Sequence, residues 1–185
     1  VANQFIKNIL FVDDQIKWDN EDDDVHALHA KSLSHEFATE GKSCTFYNVE
    51  EALDFNTEEE TILKIIPNSD VIVLDWKMKH GLISQEQEEV EDPEADVEEE
   101  ESRGKFTLQL LCSLADKYKD SLKLILILTG ETGGNAILDA IHKTEQFKKF
   151  KKNESNFSLI YEKIKISIYF KPELHGKHGT EQISD

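Results

Sequence analysis

The stretch Asp70-Val71-Ile72-Val73-Leu74-Asp75-Trp76-Lys77-Met78 decides how the rest of the chain is read. Its aliphatic residues run between two aspartates without a polar interruption, the pattern of a strand buried on both faces of a parallel sheet. Asp75 then falls where that strand ends. In open α/β sheets the carboxyl ends of the strands border the ligand crevice, so a carboxylate placed there reaches solvent, metal and substrate without becoming a buried charge. Asp75 is therefore a candidate nucleophile or metal ligand.

On the N-terminal side, Ile6 to Val12 reads Ile-Lys-Asn-Ile-Leu-Phe-Val and closes on Asp13-Asp14, a second buried strand ending in carboxylates. Asp19, Glu21, Asp22, Asp23 and Asp24 follow, which suits a loop feeding a helix start, where the macrodipole favours negative charge. Val25, Leu28, Leu33 and Phe37 then keep helical spacing as far as Gly41. Cys44 to Val49 is a short strand, and Glu50 to Ile66 has helical apolar spacing at Leu53, Ile62, Ile65 and Ile66 until Pro67-Asn68 ends it.

On the C-terminal side, Gly104 to Tyr118 reads as a helix with Phe106, Leu110, Leu111 and Leu114 as its apolar stripe. Leu122 to Leu128 is a further aliphatic strand, ending at Thr129-Gly130. A helix is expected from about Asn135, with Ile137, Leu138 and Ile141 facing inward. Lysines at 143, 148, 149, 151, 152, 163 and 165 read as a solvated helix face. Ile164 to Phe170 is the fifth strand and ends at Lys171-Pro172; residues 173–185 form a short polar tail rich in His and Gly. Strands alternating with helices imply right-handed crossovers and a doubly wound parallel sheet of the α/β class.

Composition narrows the function. The 185 residues suffice for a single domain with a full core. A formal net charge of −17 argues against nucleic acid as a direct partner and favours divalent cations or basic protein surfaces. Much of that charge sits in Ser84 to Arg103, which holds eleven acidic residues and one basic one. Such a run repels itself and cannot bury a core, so it reads as a disordered or solvent-extended insertion. Cys44 and Cys112 lack metal or redox spacing and read as buried free thiols of a reducing compartment. No apolar run approaches the ~20 residues that span a bilayer and no signal-like segment opens the chain, so a soluble cytoplasmic protein is expected. His26 and His29, like His175 and His178, lack a third ligand for zinc and read as surface histidines. Trp76 is expected to be partly exposed beside Asp75.

Three carboxylates, Asp13, Asp14 and Asp75, converging at one sheet edge would repel each other unless a cation were present. Their co-location predicts a hard, oxygen-seeking metal such as Mg²⁺. A lysine and a hydroxyl, Lys171 and Thr129, stand ready for the remaining oxygens of a phosphoryl group. That combination is phosphoryl transfer by positioning and electrostatic stabilisation, with Asp75 as acceptor.

The set Val12-Asp13-Asp14, Asp75-Trp76-Lys77-Met78, Thr129-Gly130 and Lys171-Pro172, each after an aliphatic strand and in this order, resembles the receiver domain of two-component response regulators. The resemblance implies a flavodoxin-like, five-stranded sheet of order 2-1-3-4-5. It implies Mg²⁺ held by Asp14 and Asp75, with Asp13 assisting through water and the Lys77 main-chain carbonyl completing the site. It further implies that Asp75 receives a phosphoryl group from a histidine kinase or phosphotransfer protein, that Thr129 turns toward the phosphate and that Lys171 pairs with it. Signalling to a downstream output domain or protein would follow from a surface change around the fourth helix and fifth strand.

The chain departs from the receiver pattern in several places. Lys79 stands where a Pro usually follows the acceptor, and Ile168 replaces the usual aromatic before the lysine, with Tyr169 and Phe170 adjacent. The acidic insertion falls between the acceptor loop and the third helix. The connection from the fourth to the fifth strand is long, and no apolar segment after Pro172 suits a fifth helix, so a truncation or a continuation into another domain is expected. Lys77 and Glu131 are expected to pair across the site. Two other readings remain: a receiver-like protein-interaction module without regulated phosphorylation, and a haloacid dehalogenase-type phosphatase, which would need an Asp where Lys77 stands.

Overall fold

A computed structural model describes residues 5–18, 27–50, 53–78, 104–130 and 133–171. Strand β5, Val71–Asp75, lies inside the sheet with every residue buried. It pairs in parallel with β1, Asn8–Asp13, on one side and with β6, Lys123–Thr129, on the other. Beyond β1 lies β4, Ser43–Asn48, and beyond β6 lies β9, Ile164–Phe170, both again parallel. These five strands stand in the order 2-1-3-4-5 that the resemblance implies.

The sheet does not stop at five strands. Two more, β7 (Lys151–Asn153) and β8 (Ser158–Tyr161), form an antiparallel hairpin that pairs with the outer edge of β9, making a seven-stranded sheet of order β4-β1-β5-β6-β9-β8-β7. The long fourth-to-fifth connection thus becomes sheet, and the reading of residues 143–165 as a lysine-lined helix face is corrected. The reason lies in pairing: Lys151–Asn153 and Ser158–Tyr161 bond antiparallel to each other, and Ser158–Tyr161 bonds to the edge of β9, a partner that a count of lysines does not reveal. Leu159 of β8 is fully buried and fixes the hairpin to the core. The hairpin also satisfies the edge groups of β9 that an open sheet would leave unpaired.

Helices cover both faces. α1, Ala30–Thr39, packs Phe37 against Ile9, Phe11, Val71, Val73, Leu126 and Leu128. α2 (Phe55–Ile65), α3 (Lys105–Tyr118) and α4 (Gly134–Lys143) enclose the other face, where Ile62, Leu110, Leu111, Leu114, Leu138 and Ile141 meet the alternate strand residues. Asp54 caps α2, accepting from the Thr57 N–H at 3.1 Å. At its other end the Lys123 ammonium donates to the Ile66 and Ser69 carbonyls at 3.1 and 2.5 Å, a cation where the helix dipole is negative.

Two expectations shift near the site. The helix expected from Val25 begins at Ala30, because Leu28–His29 (β3) pairs in parallel with Ile16–Lys17 (β2) and buries Leu28 beneath the connection. The Leu28 N–H donates to the Gln15 carbonyl at 3.1 Å, so backbone that helical spacing would have placed in α1 finds its partner in a strand. Cys44 and Cys112 are free thiols, half-buried rather than fully enclosed. Among the described residues no helix is long and apolar enough to cross a membrane. The acidic insertion, Lys79, Glu131, His26, His175, His178 and the tail lie outside the described residues.

Candidate functional site

The ends of β1, β5 and β9 bring their polar residues together. Asp13 and Asp75 are the last residues of strands that lie side by side, so parallel register carries their carboxylates to one edge of the sheet. Carboxylate oxygens of Asp13, Asp14 and Asp75 all lie within 4.8 Å of one another. Lys171, immediately after β9, reaches across the end of β6 to place its ammonium 2.9 Å from Asp75 Oδ1 and 3.3 Å from Asp13 Oδ2. Thr129 closes β6, buried, one residue beyond the register partner of Asp75. The five strand-end residues singled out from sequence therefore share one edge.

Two of these carboxylates, Asp13 and Asp75, are also held by main chain. The Gln15 N–H donates to Asp13 Oδ1 at 2.7 Å, and the Lys77 N–H donates to Asp75 Oδ2 at 3.1 Å. The strand ends are themselves clamped: the Val49 N–H donates to the Asp13 carbonyl at 3.0 Å and the Trp76 N–H to the Leu128 carbonyl at 2.8 Å. Such fixed donors orient an acidic cluster without neutralising it.

The electrostatics follow from crowding. Burial pushes the Asp13 carboxyl up to about 7, the nearby Asp75 adds to the shift, and Lys171 with the Gln15 N–H works against it. Burial also raises Asp75, opposed chiefly by Lys171. Burial alone would depress the Lys171 ammonium, but the Asp75 and Asp13 carboxylates outweigh it and hold it above its usual value. One ammonium thus pairs with two of the three clustered carboxylic groups, and a divalent cation there would relieve the excess negative charge.

Trp76 is not the partly exposed neighbour expected from sequence: it is only 6% exposed. The cause is Gly104, which precedes α3 with φ +86 and lies so close that a Cβ there would stand 2.5 Å from the indole ring. Sequence reading also missed Thr107. Its buried hydroxyl lies 2.7 Å from the Asp75 carbonyl and 3.2 Å from the Trp76 carbonyl, tying α3 to the turn that carries the acceptor. A hydroxyl within an otherwise apolar helical stripe was the available signal. Glu58 was missed as well; fully buried, it accepts from the Tyr47 hydroxyl and from the Glu50 N–H, fastening the loop after β4. A glutamate in a run of glutamates gave no such signal.

The chemistry of this donor set is that of hard oxygen ligands, with a fixed cation beside them and a buried hydroxyl on the neighbouring strand, which suits a small divalent ion and a phosphoryl group. Residues 5–176 match the family described as the response receiver domain. No curated protein and no solved structure matches the chain. With nearly its whole length matched and its strand order and acidic edge in agreement, the chain belongs to the response receiver domain family.

Proposed function

We propose that this chain is a phosphoacceptor receiver of a two-component or phosphorelay system, with Asp75 as the acceptor. The observation that carries this reading is the convergence of Asp13, Asp14, Asp75 and Lys171 from three strands onto one sheet edge. Mg²⁺ fits the oxygen donors present: Asp14 and Asp75 would hold it, with Asp13 assisting and the Lys77 main-chain carbonyl as a further ligand. When bound, such an ion neutralises phosphate charge and orients the incoming oxygens.

The side chains account for the transfer itself. An Asp75 carboxylate oxygen bonds to phosphorus as the phosphorus–nitrogen bond of a donor phosphohistidine breaks, and the departing imidazole takes up a proton. Lys171 balances charge on the transferring oxygens, and Thr129 supplies a hydroxyl for another. The donor would be a histidine kinase or phosphotransfer protein, and an output domain or protein would read the result. A cytoplasmic setting fits that chemistry.

Incubation with acetyl phosphate and Mg²⁺ tests the reading. The protein should gain one acid-stable, hydroxylamine-labile phosphoryl group by intact mass, and Asp75→Asn should gain none. No gain in the wild type would leave an interaction module, whereas turnover of aryl phosphates would indicate a phosphatase.

A further inference from the structure

Two aromatic rings meet beside the lysine of the site. Phe157 closes the turn between β7 and β8, while Phe170 ends β9 and is followed directly by Lys171. Their centroids are 5.9 Å apart with planes at 89°, an edge-to-face contact. Both rings lie over Gly134, the first residue of α4. A Cβ built there would stand 3.1 Å from Phe170 Cζ and 3.2 Å from Phe157 Cδ1, so no larger residue fits without moving a ring.

Phe157 holds an unusual backbone to make this contact. Its φ is +46, the left-handed region that a bulky side chain seldom occupies. Strain of this kind persists only where surrounding contacts over-determine it. Here those contacts are the Phe170 ring and the Ile168 N–H, which donates to the Phe157 carbonyl at 3.0 Å.

Lys171 lies one residue past the last ladder pair of β9, Thr129 with Phe170. Lys171 itself stands outside that ladder, yet its ammonium must stay within reach of two carboxylates. We propose that Phe157 is a positioning residue for Lys171: by wedging against Phe170 over Gly134 it fixes the end of β9 and so keeps the Lys171 ammonium on Asp75 and Asp13. The inserted hairpin is then part of the frame of the site. The catalytic consequence rests on the phosphoacceptor reading, because a lysine displaced by about 1 Å stabilises a transferring phosphoryl group far less well.

The full chain carrying Phe157→Ala, Phe157→Leu or Phe157→Tyr is compared with the wild type and with Ile141→Val, which loosens α4 away from the rings. Three quantities are measured: the rate of phosphorylation by acetyl phosphate with Mg²⁺, the affinity for Mg²⁺ by calorimetry, and solvent exchange at the Lys171 ammonium by ¹⁵N NMR. Phe157→Ala should slow phosphorylation by about tenfold or more and expose the ammonium to exchange. Phe157→Leu should do both to a lesser extent and Phe157→Tyr should do neither; Mg²⁺ affinity should not fall in any of them, because β1 and β5 carry the carboxylates and a displaced ammonium leaves these more negative. Ile141→Val should leave all three unchanged. An unchanged rate and a protected ammonium in Phe157→Ala, or in Phe157→Leu should the alanine variant not fold, would overturn the proposal. So would Mg²⁺ affinity falling in step with the rate. Should the wild type take up no phosphoryl group, the phosphoacceptor reading fails and ammonium exchange alone decides the positioning role.

Discussion

At the scale of single residues, the acidic cluster sets the response to pH. With no divalent cation bound, the folded protein retains a proton on the buried Asp13 up to about pH 7, whereas an ordinary aspartate releases it near 3.8. The folded state therefore binds more protons in that window, and stability falls as pH rises through it. Thermal denaturation in chelator should show this decline, and Asp13→Asn should flatten it. Added Mg²⁺ should restore stability at neutral pH and bind less tightly as the medium is acidified. Packing around the acceptor turn gives two further tests by urea denaturation. Gly104→Ala meets both an unfavourable positive φ and the Trp76 ring, and should lose about 2 kcal/mol or more. Thr107→Val removes the hydroxyl that the Asp75 and Trp76 carbonyls share and should lose about 1–3 kcal/mol, while Thr107→Ser should stay close to wild type.

At the scale of elements, the hairpin is the feature that sets this chain apart from the five-stranded sheet expected. It attaches by edge pairing to β9, by the Phe157 ring against Phe170 and by the fully buried apolar side chain of Leu159. Leu159→Ala should therefore destabilise by about 2–5 kcal/mol and raise amide exchange in β8 more than in β5. Much of the plain architecture was legible in sequence. β9 begins and ends where the aliphatic alternation does, and α3 starts after the glycine that opens its stripe. The hairpin was not legible, because strands of three and four residues carry too little periodicity to read and form against an edge supplied from elsewhere. Likewise α1 starts late because the preceding residues find a strand partner in Ile16–Lys17, distant in sequence.

At the scale of the whole molecule, the two tryptophans separate core from periphery. Trp18 is 62% exposed and touches Phe46 by an edge, whereas Trp76 is buried between α3 and the acceptor turn. Iodide should quench Trp18 and spare Trp76, and in Trp18→Phe the remaining emission should respond to Mg²⁺ because Trp76 adjoins Asp75.

Side-chain patterns over a few residues were enough to mark the five parallel strands, the aspartates, threonine and lysine at their ends, and their order along the chain. The order of the strands was implied by family resemblance rather than by local pattern. Folding alone reveals that Lys171 spans Asp13 and Asp75, that Gly104 seals Trp76, that Thr107 tethers the acceptor turn and that Phe157 meets Phe170 over Gly134. Those contacts join residues far apart in the chain, and whether they form depends on which strands become neighbours and which edge is left open, quantities that no local window of sequence contains.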